Sequence, residues 1–161
     1  MPASTQLQSG ELTEVVALDG VRFAWPGSRR FSLAIDDFRV TRGGKLLLIG
    51  PSGTGKSTLL SLLCGIVVPQ DGTVRILGSD LGKLPAYARD RFRAEHIGII
   101  FQMFNLLPYG SVLDNVMLPL SFAPQRRARA IRLGGAREQA CKLLSALGLE
   151  EPLFDGPATA S

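Results

Sequence analysis

Between Gly50 and Ser57 the sequence reads Gly-Pro-Ser-Gly-Thr-Gly-Lys-Ser, an instance of the pattern GxxxxGK[ST]. Each residue type in it suits polyphosphate chemistry. A polyphosphate is best held by several converging backbone N–H groups, and only a glycine-rich loop lets a backbone wrap that closely. Gly53 and Gly55 supply that freedom, Gly50 opens the loop, and Pro51, Ser52 and Thr54 complete it. Lys56 would reach the β- and γ-phosphates as a point charge, and the Ser57 hydroxyl would ligate Mg²⁺. The lysine's partner is then the ligand and not the protein. A coincidental glycine turn would not need lysine followed by a hydroxyl.

Such a loop is expected between a buried strand and an amphipathic helix. The run Leu46-Leu47-Leu48-Ile49 lacks alternation, which suits a strand buried on both faces of a parallel sheet, and it leads directly into the loop. After the loop, Leu59, Leu60, Leu62 and Leu63 recur with helical spacing up to Gly65. The start of that helix aims unpaired N–H groups and the positive dipole end at the same anion. Upstream the chain is β-rich. Glu14 to Trp25 reads as two strands or a strand pair broken at Asp19-Gly20, and Leu33, Ile35, Phe38 and Val40 mark a further strand. Downstream come a strand from Gly72 to Leu77, a charged, exposed helix from Pro85 to Glu95, and a buried strand from Ile97 to Phe101 that ends at Gln102. Met103 to Gly110 is irregular, and helices are expected at about 111–118 and 136–147, the second closed by Gly148. The tail from Glu150 to Ser161 has no periodicity.

At 161 residues and 45% hydrophobic content the chain supports one domain with a substantial core. A net charge of +4 fits an anionic partner: a nucleotide, a nucleic acid or an acidic membrane surface. The cluster Arg126, Arg127, Arg129 and Arg132 has no interleaved aromatics and reads as the solvated face of a helix rather than a nucleic-acid site. Only Cys64 and Cys141 are present, in no metal or disulfide spacing, so a reducing compartment is expected. The first ten residues form no secretory signal, and no run approaches the ~18 apolar residues of a membrane span. These features describe a soluble or peripheral, cytoplasmic chain.

The segment Gly-Pro-Ser-Gly-Thr-Gly-Lys-Ser-Thr-Leu-Leu, Gly50 to Leu60, resembles the nucleotide-binding loop of ABC transporter ATPases. Ile97-Gly-Ile-Ile-Phe-Gln102-Met-Phe-Asn-Leu-Leu-Pro108 resembles that family's strand and Q-loop, and Ser111-Val-Leu-Asp-Asn-Val-Met-Leu-Pro-Leu120 is similar to the subgroup that exports lipoproteins and macrolides. The likeness runs from about Val15 to Gly148. It implies an α/β fold: a P-loop NTPase core of ABC ATPase type with an antiparallel β subdomain, the start of the helical subdomain and an incomplete central sheet, hence exposed apolar edges. A disordered tail would occupy residues 1–12. The β subdomain and core would run to about 102, the Q-loop and helical arm over 103–149, and a tail over 150–161. The ligands implied are ATP and Mg²⁺. Trp25 matches the aromatic that stacks on adenine, with Phe23 as the alternative; Thr58 matches a ligand of an α-phosphate oxygen. Gln102 matches the glutamine that gives an oxygen to Mg²⁺ and leads to the membrane partner. Intact relatives act as dimers on a transmembrane permease at the cytoplasmic face of the inner membrane; no nucleic-acid partner is implied.

The family's catalysis also needs a magnesium-holding carboxylate, a water-orienting carboxylate, a switch histidine and an LSGGQ signature. None is recognisable here. Val15-Val-Ala-Leu-Asp19 imitates the carboxylate strand but precedes the loop; His96 lies before the Q-loop strand; Leu133-Gly134-Gly135 only echoes the signature, which would begin near Ala160-Ser161. The expectation is an N-terminal fragment that holds ATP weakly without turnover and has no catalytic residue of its own. The rival readings are a soluble ABC module of DNA repair or translation and a small-molecule kinase. The transporter-like Q-loop region disfavours the kinase.

Overall fold

Residues 13–27, 32–101 and 105–158 are described by the structure, a computed structural model. The expected tail at 1–12, Gln102 and Ala160-Ser161 lie outside the described residues. The chain divides into two units, Met1–Arg89 and Asp90–Ser161.

In the first unit, β1 (Glu14–Phe23) pairs antiparallel with β2 (Leu33–Thr41) on one side and β3 (Asp71–Ile76) on the other. β4 (Ser79–Asp80) closes a sheet of order β2-β1-β3-β4. Central in that sheet, β1 buries Ala17, Leu18, Val21 and Phe23. Asp19-Gly20 does not split it into two strands, as the turn-like pair suggested. Gly20 takes φ 57° and the register with β3 shifts between Asp19 and Arg22, so the pair makes a bulge that kinks the strand without reversing it. β3 presses closely on that bulge. A Cβ on Gly72 would stand 2.4 Å from the carbonyl oxygens of both Asp19 and Gly20, so only glycine fits. Helix α1 (Lys56–Leu63) packs Leu59 and Leu62 into the core.

Two expectations are corrected. Leu46–Ile49 and Ile97–Phe101 form no strands, and their side chains are largely exposed: Leu47 is 79%, Ile49 84% and Ile100 100% accessible. A continuous apolar run predicts a doubly covered strand only where neighbouring strands exist to cover it. Among the described residues no strand pairs with either segment. The exposed apolar surface anticipated for an incomplete sheet is located here.

Helix α2 (Ala86–His96) is polar and mostly exposed, but its Glu95 is buried. In the second unit, α3 (Val112–Met117) starts at a capping box in which Ser111 and Asp114 satisfy each other's backbone N–H. A 3₁₀ turn (Leu118–Ser121), α4 (Pro124–Arg132) and α5 (Ala136–Ala146) follow. No side chain of its own caps α4; the Glu95 carboxylate does so, accepting from the N–H groups of Gln125 at 2.8 Å and Arg126 at 3.2 Å. Residues 150–158 of the tail are not loose. Phe154 is buried with Leu113, Ala140 and Leu144, and its carbonyl accepts from Leu113 N–H at 2.9 Å.

Candidate functional site

The loop from Gly50 to Gly55 turns where glycine is required. Gly53 (φ 84°) and Gly55 (φ 93°) occupy left-handed backbone that side-chain-bearing residues rarely adopt, and a Cβ on Gly50 would crowd the Thr54 hydroxyl at 3.1 Å. Thr54 donates to the Pro51 carbonyl at 2.9 Å and holds the loop in its bend. Gly55 caps α1 with its carbonyl, which receives Leu59 N–H at 2.8 Å. No side chain caps this helix and no acidic residue lies in its first turn, so its leading N–H groups are available to an anion. The Leu62 side chain, 1% exposed, anchors the helix beneath the loop.

Lys56 does not wait for a ligand alone. Its Nζ donates to the carbonyls of Gly50 at 2.7 Å and Pro51 at 2.6 Å, and reaches the Thr54 hydroxyl at 3.3 Å. The ammonium has three donors and uses two loop carbonyls and a hydroxyl as acceptors, so the expectation that this lysine has no protein partner is corrected. The cavity in front of the loop has a volume of about 360 Å³ and is lined by Trp25, Ser52, Gly53, Gly55, Lys56, Ser57 and Thr58.

Trp25 and Phe23, the two aromatics weighed for one role, take different ones. Phe23 is a core residue, 5% exposed, whereas Trp25 is 41% exposed and lines the cavity. The rings meet edge to face, 5.1 Å between centroids at 88°. The indole Nε1 donates to Thr58 Oγ1 at 3.2 Å. Backbone support comes from Gln70, whose amide bonds the N–H of Ala24 at 2.9 Å and its carbonyl at 2.8 Å, fixing the residue before Trp25. Nothing in the sequence marks Gln70, because a lone glutamine beside Pro69 carries no local signal.

Asp19 and His96 each have structural partners of their own. Asp19 is clasped by the guanidiniums of Arg39 and Arg75, and the hydrogen bond from Arg39 holds its carboxyl below the usual aspartate range. His96 meets Phe92 in a tilted ring contact, and Leu133-Gly134-Gly135 is the turn between α4 and α5. Among the described residues no group of three or more His, Cys, Asp or Glu is placed to hold a metal.

The family model described as ABC transporter matches residues 33–158, more than half of the chain. The chain belongs to the ABC transporter family. Similar curated proteins include the macrolide export ATP-binding/permease protein MacB of Rhodopirellula baltica, 42% identical over 68% of this chain and 16% of its own length. The lipoprotein-releasing system ATP-binding protein LolD of Legionella pneumophila is 36% identical over 78% of this chain and 52% of itself. This ABC chain thus spans about half of LolD and a smaller part of MacB. Among solved structures, the ATP-binding cassette MJ0796, a dimer in a post-hydrolysis state with ADP and Pi, superposes with TM-score 0.61 at 25% identity, over 89% of this chain and 61% of that one. The fold class is therefore that of the ABC ATPase cassettes. No helix among the described residues is long and apolar enough to cross a membrane.

Proposed function

We propose that this chain is the ATP-binding portion of an ABC transporter subunit of the lipoprotein-release or macrolide-export type. The observation that carries the proposal is the cavity itself: a glycine-built loop, an uncapped helix start, one lysine, three hydroxyls and one indole facing the same space. That inventory suits a nucleoside polyphosphate, with phosphates toward Gly53–Ser57 and the base on Trp25. Lys56 exchanges loop carbonyls for β- and γ-phosphate oxygens, and Thr58 serves the α-phosphate. Mg²⁺ would be held through the nucleotide's own oxygens plus the hydroxyl of Ser57, which lines the cavity, with Gln102 as the further oxygen donor proposed. Bound Mg²⁺ would neutralise phosphate charge.

The activity of the whole protein follows from the family in the same proposal: hydrolysis by a closed dimer, coupled to a permease at the cytoplasmic face of the inner membrane. Within these 161 residues the loop is followed by no apolar strand ending in Asp-Glu and no LSGGQ segment. The chain by itself therefore binds ATP weakly and does not turn it over. Calorimetric titration with Mg-ATP, Mg-ADP and AMP tests the site: the two polyphosphates should bind clearly tighter than AMP. Equal affinity for AMP would remove the phosphate loop from the account.

A further inference from the structure

We propose that Trp25 acts on the phosphates as well as on the base, by fixing the Thr58 hydroxyl as a phosphate donor through its indole N–H. The proposal presupposes the nucleotide site above and adds a link between its two ends. Thr58 lies in the first turn of α1, only 7% exposed, and its branched side chain has few rotamers to choose from. The Nε1–Oγ1 contact of 3.2 Å commits the hydroxyl oxygen as an acceptor. A hydroxyl has one hydrogen to give; Thr58 lines the cavity, and with its oxygen accepting from the indole the group can offer that hydrogen to a ligand there.

An anion placed there completes a chain in which indole N–H polarises O–H and O–H donates to phosphate. Such relayed bonds strengthen one another, and a charged acceptor makes the last bond the strongest. The indole is held for this task. Phe23 abuts it edge to face at 5.1 Å, and Gln70 pins the Ala24 backbone next to it. Phenylalanine would keep the stacking face and lose the donor, and tyrosine would carry its donor at the far tip of the ring.

Mg-tripolyphosphate, which has no base to stack, separates the two roles in the full 161-residue chain. Trp25→Phe should weaken its binding about three- to tenfold, the worth of one hydrogen bond, although no stack is involved. Thr58→Val should weaken it similarly and abolish any further effect of Trp25→Phe, while Thr58→Ser should retain binding; circular dichroism confirms that each variant is folded. Trp25 is the only tryptophan, so tripolyphosphate should also shift its fluorescence, and should cease to do so in Thr58→Val. Unchanged tripolyphosphate affinity in Trp25→Phe, with Lys56→Ala still lowering it, would overturn the link and leave the nucleotide site standing. Tripolyphosphate that fails to bind the unmodified chain, or binds Lys56→Ala undiminished, would remove the phosphate site and the link together.

Discussion

Replacing Lys56 by alanine separates what the lysine does for the loop from what it does for a ligand. Three contacts disappear, to the Gly50 and Pro51 carbonyls at 2.7 and 2.6 Å and to the Thr54 hydroxyl at 3.3 Å. Bonds to a charged donor are worth about 1.5–3 kcal/mol when desolvated, but these are exposed, and solvent screening brings their sum to roughly 1 kcal/mol or less. The loop loosens while the core beneath it, held by Leu59 and Leu62, stays folded. On the ligand side the variant loses a charge-assisted bond to phosphate, about 1.5–3 kcal/mol, or roughly 10- to 150-fold in Mg-ATP affinity. Urea melts followed by circular dichroism give the first quantity and calorimetry the second. Undiminished ATP affinity would refute the assignment of Lys56 to the phosphates. A variant that no longer folds would show instead that its three loop bonds are a structural anchor.

Trp25→Ala should weaken ATP and GTP alike by about 1–3 kcal/mol, since a ring stacks on any base; a loss confined to Phe23→Ala in the same titration would place the base elsewhere. Phe154→Ala should cost about 3–5 kcal/mol in a denaturant melt, because the ring is 3% exposed among Leu113, Ala140 and Leu144; an unchanged midpoint would mean that the tail is not docked. Asp114 has its carboxyl lowered below the ordinary 3.8 by the Ser111 hydroxyl and then the Ser111 N–H. A depressed folded value means that the capping box stabilises above the unfolded value and fades as pH falls from about 3.8 through the folded one. The stability gap between the natural chain and Asp114→Asn should therefore be present at about pH 6 and narrow as pH falls below 3.8, and a gap independent of pH would contradict it.

The Gly50–Ser57 loop was legible as a glycine-built turn into a helix because its signal is local: glycine spacing, a lysine and a hydroxyl within eight residues need no distant partner to be recognised. α1 and α5 were legible for the same reason, through helical spacing of leucines. What failed depended on pairing. Leu46–Ile49 and Ile97–Phe101 have the composition of buried strands, yet composition cannot supply the neighbours that would cover them. Asp19-Gly20 announces a turn, and only the register with β3 reveals a bulge. Long-range bonds were the least visible. Gln70 holding Ala24, Glu95 capping α4 and Phe154 bonded to Leu113 each join residues separated by 30 or more positions, and no period or motif foretells them. α4 was anticipated only as a basic face, without bounds, because its cap lies on another helix.

The central claim is that a nucleoside polyphosphate sits on the loop from Gly50 to Thr58. Amide chemical-shift mapping of the isotopically labelled chain during titration with Mg-ATP tests it most directly. The largest shifts should fall on the backbone amides of Gly53, Gly55, Lys56, Ser57 and Thr58 and on the Trp25 indole N–H, with AMP moving the indole far more than the loop amides. Saturating Mg-ATP that leaves these signals in place, or moves chiefly residues of the second unit, would contradict it.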